Sequence, residues 1–414
     1  MKFGLMSYDY TTNIGNEVQS IAARRFLPKI DYYIEHEKLE RFDEGSDVKM
    51  IMNAWYLDCD KAWPPSENID PLLISMHFTT RTDARRDAVL TDESKEFFQK
   101  HGPVGCRDHH TVNFLNENGI DAFYTGCLTL TLDSGAKKID SDEHEYIVLS
   151  VDNPNEILPF LKQKTDTEIY VIYQDLIPSF KKAYPKTMPK SIYTLSSFYN
   201  HEEKFFMAEN LLRIYENAKC VITDRMHCAL PSLALKTPVL MINNDVMRER
   251  FDGISELLHE ATFEDYSKNY SKIFDINNPP ENPKDYLKIR KDLIKRCEKF
   301  TGCVNDSCYT DISYKELLDK NSLILSRNAF ETRKYIKDIV KNYRKDLFDL
   351  KNTKRKYDNQ KEAVERLNKK VKDQQNAIDE LNRKIADHEK TIKQMESSNS
   401  WKITKPIRKL KNRK

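Results

Sequence analysis

Three short segments hold residues whose types and spacing suit anion binding and proton transfer. The sharpest is Cys220-Val-Ile-Thr-Asp-Arg-Met-His-Cys-Ala-Leu. Its apolar start reads as a strand and its continuation as a helix, so Arg225 and His227 fall at the junction. Two residues apart there, both side chains can reach one anion beside the helix N-terminus. A fixed cation with a titratable imidazole suits a phosphorylated substrate that needs both anchoring and a proton. The structural alternative is Asp224 pairing Arg225. The second segment is Gly105-Cys-Arg-Asp-His-His110, again at a strand-to-helix junction. Arg107 offers a planar fork to a carboxylate or phosphate, and Asp108 is placed to cap the helix; an Arg–Asp structural pair is the alternative. His109 and His110 read as helix-surface residues. The third is Asn13-Ile-Gly-Asn-Glu-Val-Gln-Ser20, directly after the first apolar run. Here Gly15 permits a tight turn, and Asn16 with Gln19 three residues on outlines a capping box. The position is the carboxyl end of a strand, where open α/β sheets bind ligands. A plain loop and cap is the alternative.

These segments need a scaffold of alternating strands and helices. Lys2–Tyr8, Ile30–Ile34, Val48–Asn53, Leu72–His77, Val104–Cys106 and Ala122–Tyr124 read as strands, with helices over 17–27 and 108–117. The apolar pattern breaks at Asp133–Glu145 and then restarts. Strands follow at Tyr146–Val151, Ile169–Tyr173, Cys220–Thr223 and Val239–Ile242, with helices at 155–164, 205–217 and 226–235. Such alternation implies mostly parallel sheets covered by helices. The division expected is 1–135 and 143–330 as two α/β halves, the second with a helical extension broken by the Asn277–Pro283 loop.

Beyond residue 330 the period changes. Ile336, Tyr343, Leu350, Tyr357, Val364, Val371, Ile378, Ile385 and Ile392 recur every seven residues, and Ile339, Leu367, Leu381 and Met395 fill several partner positions. Thr353, Gln360, Gln374 and His388 occupy other partner positions, so the seam is imperfect, especially in its first half. Residues 332–398 thus read as a coiled coil, and β-branched residues opposite Leu favour a parallel homodimer. A solvated helix packed on its own domain is the alternative. The basic tail, 399–414, interleaves Trp401, Ile403, Ile407 and Leu410 with cations, which suits an anionic membrane face; a disordered basic end is the alternative.

Composition narrows the function classes. The 414 residues are 39% hydrophobic and 32% charged, with 67 basic and 65 acidic side chains. Seven of the basic ones lie in the last fourteen residues, leaving 60 against 65, or −5, for residues 1–400. That balance argues against a nucleic-acid binder. With ten glycines, none in a GxGxxG or GxxxxGK[ST] spacing, the usual dinucleotide and Walker signatures are absent. The eight cysteines form no CxxC pair or zinc cluster, so no metal is expected, and Cys303 and Cys308 read as free thiols. The N-terminus turns polar at Ser7, too early for a signal peptide, and no stretch approaches the ~20 apolar residues of a membrane span. The expectation is a cytoplasmic protein.

Taken in order, the three segments resemble the polysaccharide pyruvyl transferase family over about residues 1–260. The resemblance rests on Asn13-Ile-Gly-Asn-Glu-Val-Gln-Ser, on Val-Gly-Cys-Arg-Asp with the downstream Tyr-Thr-Gly-Cys-Leu-Thr-Leu, and on Thr-Asp-Arg-Met-His-Cys-Ala-Leu-Pro-Ser-Leu-Ala-Leu-Lys-Thr-Pro-Val. Leu128 stands where the pattern expects proline, and Lys236 where the helix-to-strand turn usually has glycine. The resemblance implies two Rossmann-like domains in a GT-B-like arrangement, the first on the acceptor side and the second on the donor side. It implies phosphoenolpyruvate as donor substrate, with no further cofactor, and a hydroxyl pair of a glycan or lipid-linked glycan as acceptor, giving a cyclic ketal. Arg225 and His227 match donor-contacting positions, with Arg107, Asn13, Gly15 and Asn16 as further substrate-binding candidates. Whether His227 acts as acid or as phosphate ligand stays open. The closing Ser-Asn-Ser-Trp-Lys-Ile-Thr-Lys-Pro-Ile-Arg-Lys-Leu is similar to tails that follow coiled coils in some bacterial surface-polysaccharide glycosyltransferases. Two other functions fit the same chain: a GT-B glycosyltransferase using a nucleotide sugar, and a non-catalytic coiled-coil assembly protein.

Overall fold

The first strand, β1 (Lys2–Ser7), is buried from Phe3 onward on both faces, as expected of a strand inside a covered parallel sheet. The computed structural model describes residues 1–9, 11, 13–45, 47–56, 63–134, 145–172, 174, 200–243, 248–310 and 314–398. After β1 come α1 (Gly15–Arg24), β2 (Tyr32–Glu35), β3 (Val48–Met52), β4 (Trp55–Tyr56), β5 (Ile69–Leu73) and β6 (His77–Phe78). The short helices α2 (Asp83–Val89) and α3 (Asp92–His101) lead to β7 (Val104–Cys106), α4 (His109–Glu117) and β8 (Ala122–Tyr124). Strands β2-β1-β3-β5 form one parallel sheet, with Gly4 opposite Tyr32 and Lys2 opposite Val48. Two further parallel pairs, β4-β6 and β7-β8, accompany it.

The pattern then repeats with β9 (Tyr146–Ser150), α5 (Pro154–Lys162), β10 (Glu168–Val171), α6 (His201–Asn217), β11 (Cys220–Thr223), α7 (Met226–Ala234), β12 (Val239–Asn243) and β13 (His259–Thr262). These strands make a second parallel sheet in the order β10-β9-β11-β12-β13. The chain is therefore mixed α/β with parallel sheets. Residues Met1–Lys320 form one compact unit. A continuous apolar core joins its two sheets, with Leu5, Val18 and Ile21 of the first half packed in the same cluster as Leu212, Val221 and Leu230 of the second.

Strands β7, β8 and β11 fall where the sequence places them. The expected Leu72–His77 strand does not: it is β5 and β6, parted at Ser75, which adopts φ 55°. The Ser75 N–H donates to Thr125 Oγ1 at 3.1 Å, and the Met76 N–H to the Gly105 carbonyl at 3.0 Å. The chain thus leaves the first sheet to bridge to β7. Strand β13 has no counterpart in the sequence reading because His259-Glu-Ala-Thr262 is a half-buried edge strand with one apolar residue fully covered. Tyr173, at the end of one expected strand, lies outside the described residues, as do 135–144 of the expected linker.

A second correction concerns α1. Asn16 is not its cap: the helix starts at Gly15, and Ile14 in the cap position makes no side-chain cap bond. Asn13 Oδ1 instead accepts the Gly15 N–H at 3.0 Å, while the Ile14 N–H donates to the Gln174 carbonyl at 2.9 Å. Nor does Gly15 serve a left-handed turn. A Cβ there would sit 2.8 Å from Gln174 Oε1 and 2.9 Å from Asn13 Oδ1, so any other residue would have to displace these two side-chain ends. Helix α4 is capped as expected, Asp108 Oδ1 accepting the Thr111 N–H at 2.8 Å.

The helical extension holds α8 (Tyr286–Thr301), ended by Gly302 at φ 75°. Helix α9 spans Tyr314–Ser397, 84 residues. The second unit, Asn321–Lys414, consists in its described part of this helix. Its seam residues Tyr343, Leu350, Tyr357, Val364, Val371, Ile378, Ile385 and Ile392 are all exposed in the single chain. The tail 399–414, with Trp401 and Ile403, lies outside the described residues. Among the described residues no helix is long and apolar enough to cross a membrane.

Lys236, in place of the turn glycine, adopts φ 69° between α7 and β12. A side chain in the left-handed region costs roughly 1–2 kcal/mol, of which glycine's greater freedom in the unfolded chain offsets part. Lys236→Gly is therefore expected to raise the unfolding free energy by about 1 kcal/mol, read as a higher urea midpoint at unchanged slope. A lower midpoint would show that the lysine side chain makes a compensating contact.

Candidate active site

Parallel strands deliver their carboxyl ends to one edge of a sheet, and here the two sheets deliver theirs to a shared cavity of about 300 Å³. The first half contributes Tyr8 after β1, Glu35 at the end of β2, and Thr11, Asn13 and Asn16 around the start of α1. The second half contributes His227 at the start of α7, and Arg250. Arg250 lies over the Trp55 ring at 5.2 Å, closing that side with a cation–π contact.

The cationic wall centres on His227. It is 7% exposed, has a kinked backbone inside α7 (φ −80°, ψ 15°), and its Nε2 has no hydrogen-bond partner. Burial, then the charges of Arg107, Arg250 and Arg225, hold its imidazole well below the usual histidine range. His227 is thus neutral at pH 7. Arg107 is fully buried, yet none of its three guanidinium nitrogens makes a hydrogen bond. Its nearest acid, Asp108, lies 3.6 Å from Nε and is already committed elsewhere. Asp108 Oδ2 takes a hydrogen bond from His77 Nδ1 at 2.7 Å, and Oδ1 takes two from Thr111, at 2.7 and 2.8 Å. Burial pushes the Asp108 carboxyl up, but His77, Arg107 and Thr111 together hold it below the ordinary range. His77, buried beside Arg107, is pushed down to about 4 and is neutral. Arg107 is therefore paired with Asp108 by charge alone, at 3.6 Å and without a hydrogen bond, a costly arrangement for a buried guanidinium.

Arg225 is the N-cap residue of α7 and is ion-paired with Asp152 and, at 3.7 Å, with Asp224. Neither Arg225 nor Arg107 lines the cavity; both act on His227 through their charge. Of the residues singled out in the sequence, Asn13, Asn16 and His227 are brought together at the cavity, with Gly15 packed behind them. His109 and His110 are more engaged than surface residues: His109 stacks on Tyr124 at 4.3 Å, and His110 Nε2 is 2.7 Å from Thr80 Oγ1. Cys303 and Cys308 are free thiols. Among the described residues no group of three His, Cys, Asp or Glu is placed to hold a metal ion.

The opposite wall is acidic, and sequence reasoning missed it. Glu35 accepts the Asp9 N–H at 2.5 Å and the Glu37 N–H at 3.4 Å. Burial, against the Asp9 amide and with the Asp9 charge, pushes its carboxyl up to about 7. Behind the cavity, Glu17 of α1 is 2% exposed, and burial, only partly opposed by Lys204, pushes it up to about 8. Lys204 is itself buried, donating to the Tyr8 carbonyl at 2.7 Å and lying 3.5 Å from Asp9. The available signal was positional: Tyr8-Asp9 and Glu35-His36-Glu37 are polar runs at the carboxyl ends of expected strands.

The α/β cleft thus has neutral His227 and Arg250 on one side and the raised carboxyl of Glu35 on the other, with Arg107 and Glu17 buried outside its lining. The polysaccharide pyruvyl transferase family model matches residues 84–246, which include Arg107, Arg225 and His227. The matched span includes the second and third sequence segments; the first segment lies outside it. No curated protein matches the chain. Among solved structures it aligns with an uncharacterized protein from Klebsiella pneumoniae subsp. pneumoniae at 14% identity, covering 60% of this chain and 87% of that one, with a TM-score of 0.34. It also aligns with the wall teichoic acid polymerase TagF at 11% identity, covering 80% and 90%, TM-score 0.32. A UDP-N-acetylglucosamine 2-epimerase aligns at 12% identity, covering 74% and 92%, TM-score 0.27. These overlaps are too loose to establish a shared fold.

The raised carboxyl of Glu17 makes stability depend on pH. The folded protein holds this proton to about pH 8, whereas an ordinary glutamate releases it near 4.5. Its stabilising contribution is therefore complete below pH 4.5 and is lost as pH rises through about 8. Glu17→Gln removes the titration, so the melting temperature of the wild type, relative to the variant, should decline across that window. Parallel thermal melts in a pH series check this; a constant offset would mean that Glu17 is ionised in the fold throughout.

Proposed function

We propose that this protein transfers the pyruvyl group of phosphoenolpyruvate to a pair of glycan hydroxyls as a cyclic ketal, in the assembly of a bacterial surface polysaccharide. The observation that carries the reading is Arg107, a fully buried guanidinium without a hydrogen bond, beside neutral His227 and inside the span that matches the family. Phosphoenolpyruvate brings a phosphate and a carboxylate, and guanidinium groups pair bidentately with either. In this reading the two halves of the first unit act as the acceptor and donor domains of a GT-B-like arrangement. His227, neutral in the free protein, becomes a phosphate ligand, since the incoming charge offsets the arginines that suppress its protonation.

The same reading gives the second unit a role. The exposed apolar seam of α9 pairs with that of a second copy, since each buried aliphatic side chain contributes about 1.5–3 kcal/mol. The basic tail then holds the dimer at the inner, cytoplasmic face of the membrane, where a lipid-linked acceptor is presented.

Binding a ligand to the native state alone raises the melting temperature. Phosphoenolpyruvate should do so, and nucleotide sugars should not; a response only to nucleotide sugars overturns the reading in favour of glycosyl transfer. Arg225→Lys, which keeps charge but loses the fork, and His227→Ala should each lower phosphate release from phosphoenolpyruvate at least about a hundredfold with the fold intact. Near-normal release by either variant removes that residue from the site. For the second unit, Ile378→Asp with Ile385→Asp should convert a dimer to a monomer by light scattering. A dimer that persists would place the interface in the α/β body.

A further inference from the structure

Ketal formation needs a proton delivered to one carbon and protons removed from two hydroxyls, and the cationic wall is poorly suited to either task. His227 is surrounded by the charges of Arg107, Arg225 and Arg250, which oppose its acting as an acid; its place is on the phosphate. Across the same cavity stands Glu35. Its carboxyl is oriented by two backbone N–H groups, from Asp9 and Glu37, at the end of β2. Glu17 does not line the cavity. Tyr8 does, but burial, with Glu17 nearby, pushes its hydroxyl far above the usual range, so it stays protonated.

We propose that Glu35 is the catalytic acid and base of the transfer, carrying one proton to the donor's methylene carbon and taking one back from the acceptor. The proposal rests on the pyruvyl-transfer reading above. In the first step the Glu35 carboxyl gives its proton to C3: a C–H bond forms from the C2–C3 π pair, and C2 becomes an oxocarbenium centre. The first acceptor hydroxyl oxygen bonds to C2, and its proton returns to the Glu35 carboxylate. The C2–O bond to phosphate then breaks, its electron pair leaving with the phosphate at the cationic wall. The second hydroxyl oxygen bonds to C2, and its proton ends on the phosphate, which departs as hydrogen phosphate. Two O–H bonds are exchanged for one methyl C–H bond and one phosphate O–H bond, and Glu35 is regenerated.

A group that serves as acid and then base works best when its two forms are comparably populated. The environment of Glu35 arranges this from every side. Asp9 and Tyr8 at the end of β1, Glu17 on α1, and His36 and Glu37 beside it surround the carboxyl, with Lys204 behind Asp9 and Glu17, and His227 and Arg250 across the cavity. Burial leads the upward shift, to about 7.

Glu35→Gln keeps an acceptor for the Asp9 N–H and removes the transferable proton. With phosphoenolpyruvate as donor and methyl hexopyranosides bearing free 4- and 6-hydroxyls as acceptors, the variant should bind donor within twofold of the wild type by calorimetry. Its phosphate release should fall at least about a hundredfold, and the limb of the wild-type pH–rate profile near neutrality should vanish. Glu35→Asp should restore part of the rate with a displaced limb. A Glu35→Gln enzyme with wild-type turnover, or with that limb intact, overturns the proposal and leaves the pyruvyl-transfer reading standing. A wild type that neither binds phosphoenolpyruvate nor releases phosphate overturns both. Independently of any acceptor, side-chain 13C-glutamate spectra, with the Glu35 resonance assigned by its loss in Glu35→Gln, should titrate near neutrality. A midpoint in the ordinary carboxylate range removes the acid and overturns the proposal.

Discussion

The charge of Arg107 is the constraint around which the cleft is built. A guanidinium taken out of water costs several kcal/mol unless an acid and hydrogen bonds replace its hydration. Here Asp108 supplies only a 3.6 Å approach, because its oxygens already serve the α4 N-terminus and His77. The site therefore stores an electrostatic demand in the folded protein. Its first effect is on its neighbours: His77 and His227 are both pushed towards neutrality with Arg107 among the causes. Two imidazoles near an arginine that could have added charge instead give it up. The wall then presents a fixed positive potential without mutual repulsion severe enough to open the fold.

The acidic wall obeys the same logic with opposite sign. Glu17 and Glu35 are both raised first by burial; Asp9 adds to each, and Glu35 adds to Glu17. Lys204 opposes this without cancelling it, because its ammonium is shared with the Tyr8 carbonyl and Asp9. Carboxyls protonated near neutrality facing imidazoles deprotonated near neutrality is an arrangement that desolvation produces on its own. It leaves the cleft close to electrically balanced apart from its arginines, which is the state in which an anion gains most from entering.

Much of the scaffold was legible in the sequence because apolar runs bounded by polar residues are strong signals. Val104–Cys106, Ala122–Tyr124 and Cys220–Thr223 are such runs, and the junction after the last placed His227 at the mouth of the cleft. Lys236 was legible too, as a departure from glycine at a position whose backbone is left-handed. Other features could not be read locally. Arg225 pairs with Asp152, 73 residues earlier, and no spacing rule reaches that far. Strand β13 lacks an apolar run, and the break at Ser75 depends on Thr125 and Gly105, which only the fold brings near. Glu35 looked like any charged residue after a strand; its altered acidity is a property of what packs over it. The Asn16 cap failed for a related reason, since Gln174 on a distant segment fixes Ile14 and lets Asn13 take the first amide instead.

These long-range dependences explain why the site is shared between the halves. A cavity lined only by the first sheet would gather acids with no cation facing them; one lined only by the second would hold His227 and Arg250 with no buried carboxyl opposite. The common core through Val18, Ile21, Leu212 and Leu230, with the Arg24–Glu209 ion pair at 2.6 Å between α1 and α6, holds the walls in register. Apolar packing is non-directional and tolerates volume-conserving change, so it sets the distance between the walls, while the directional work falls to a few amides: Asp9 on Glu35, Thr111 on Asp108, Gly15 on Asn13. Each belongs to the carboxyl end of a strand or the first turn of a helix. There the backbone has donors that its own secondary structure leaves unused, and it is those spare donors, rather than any special residue, that orient the chemistry.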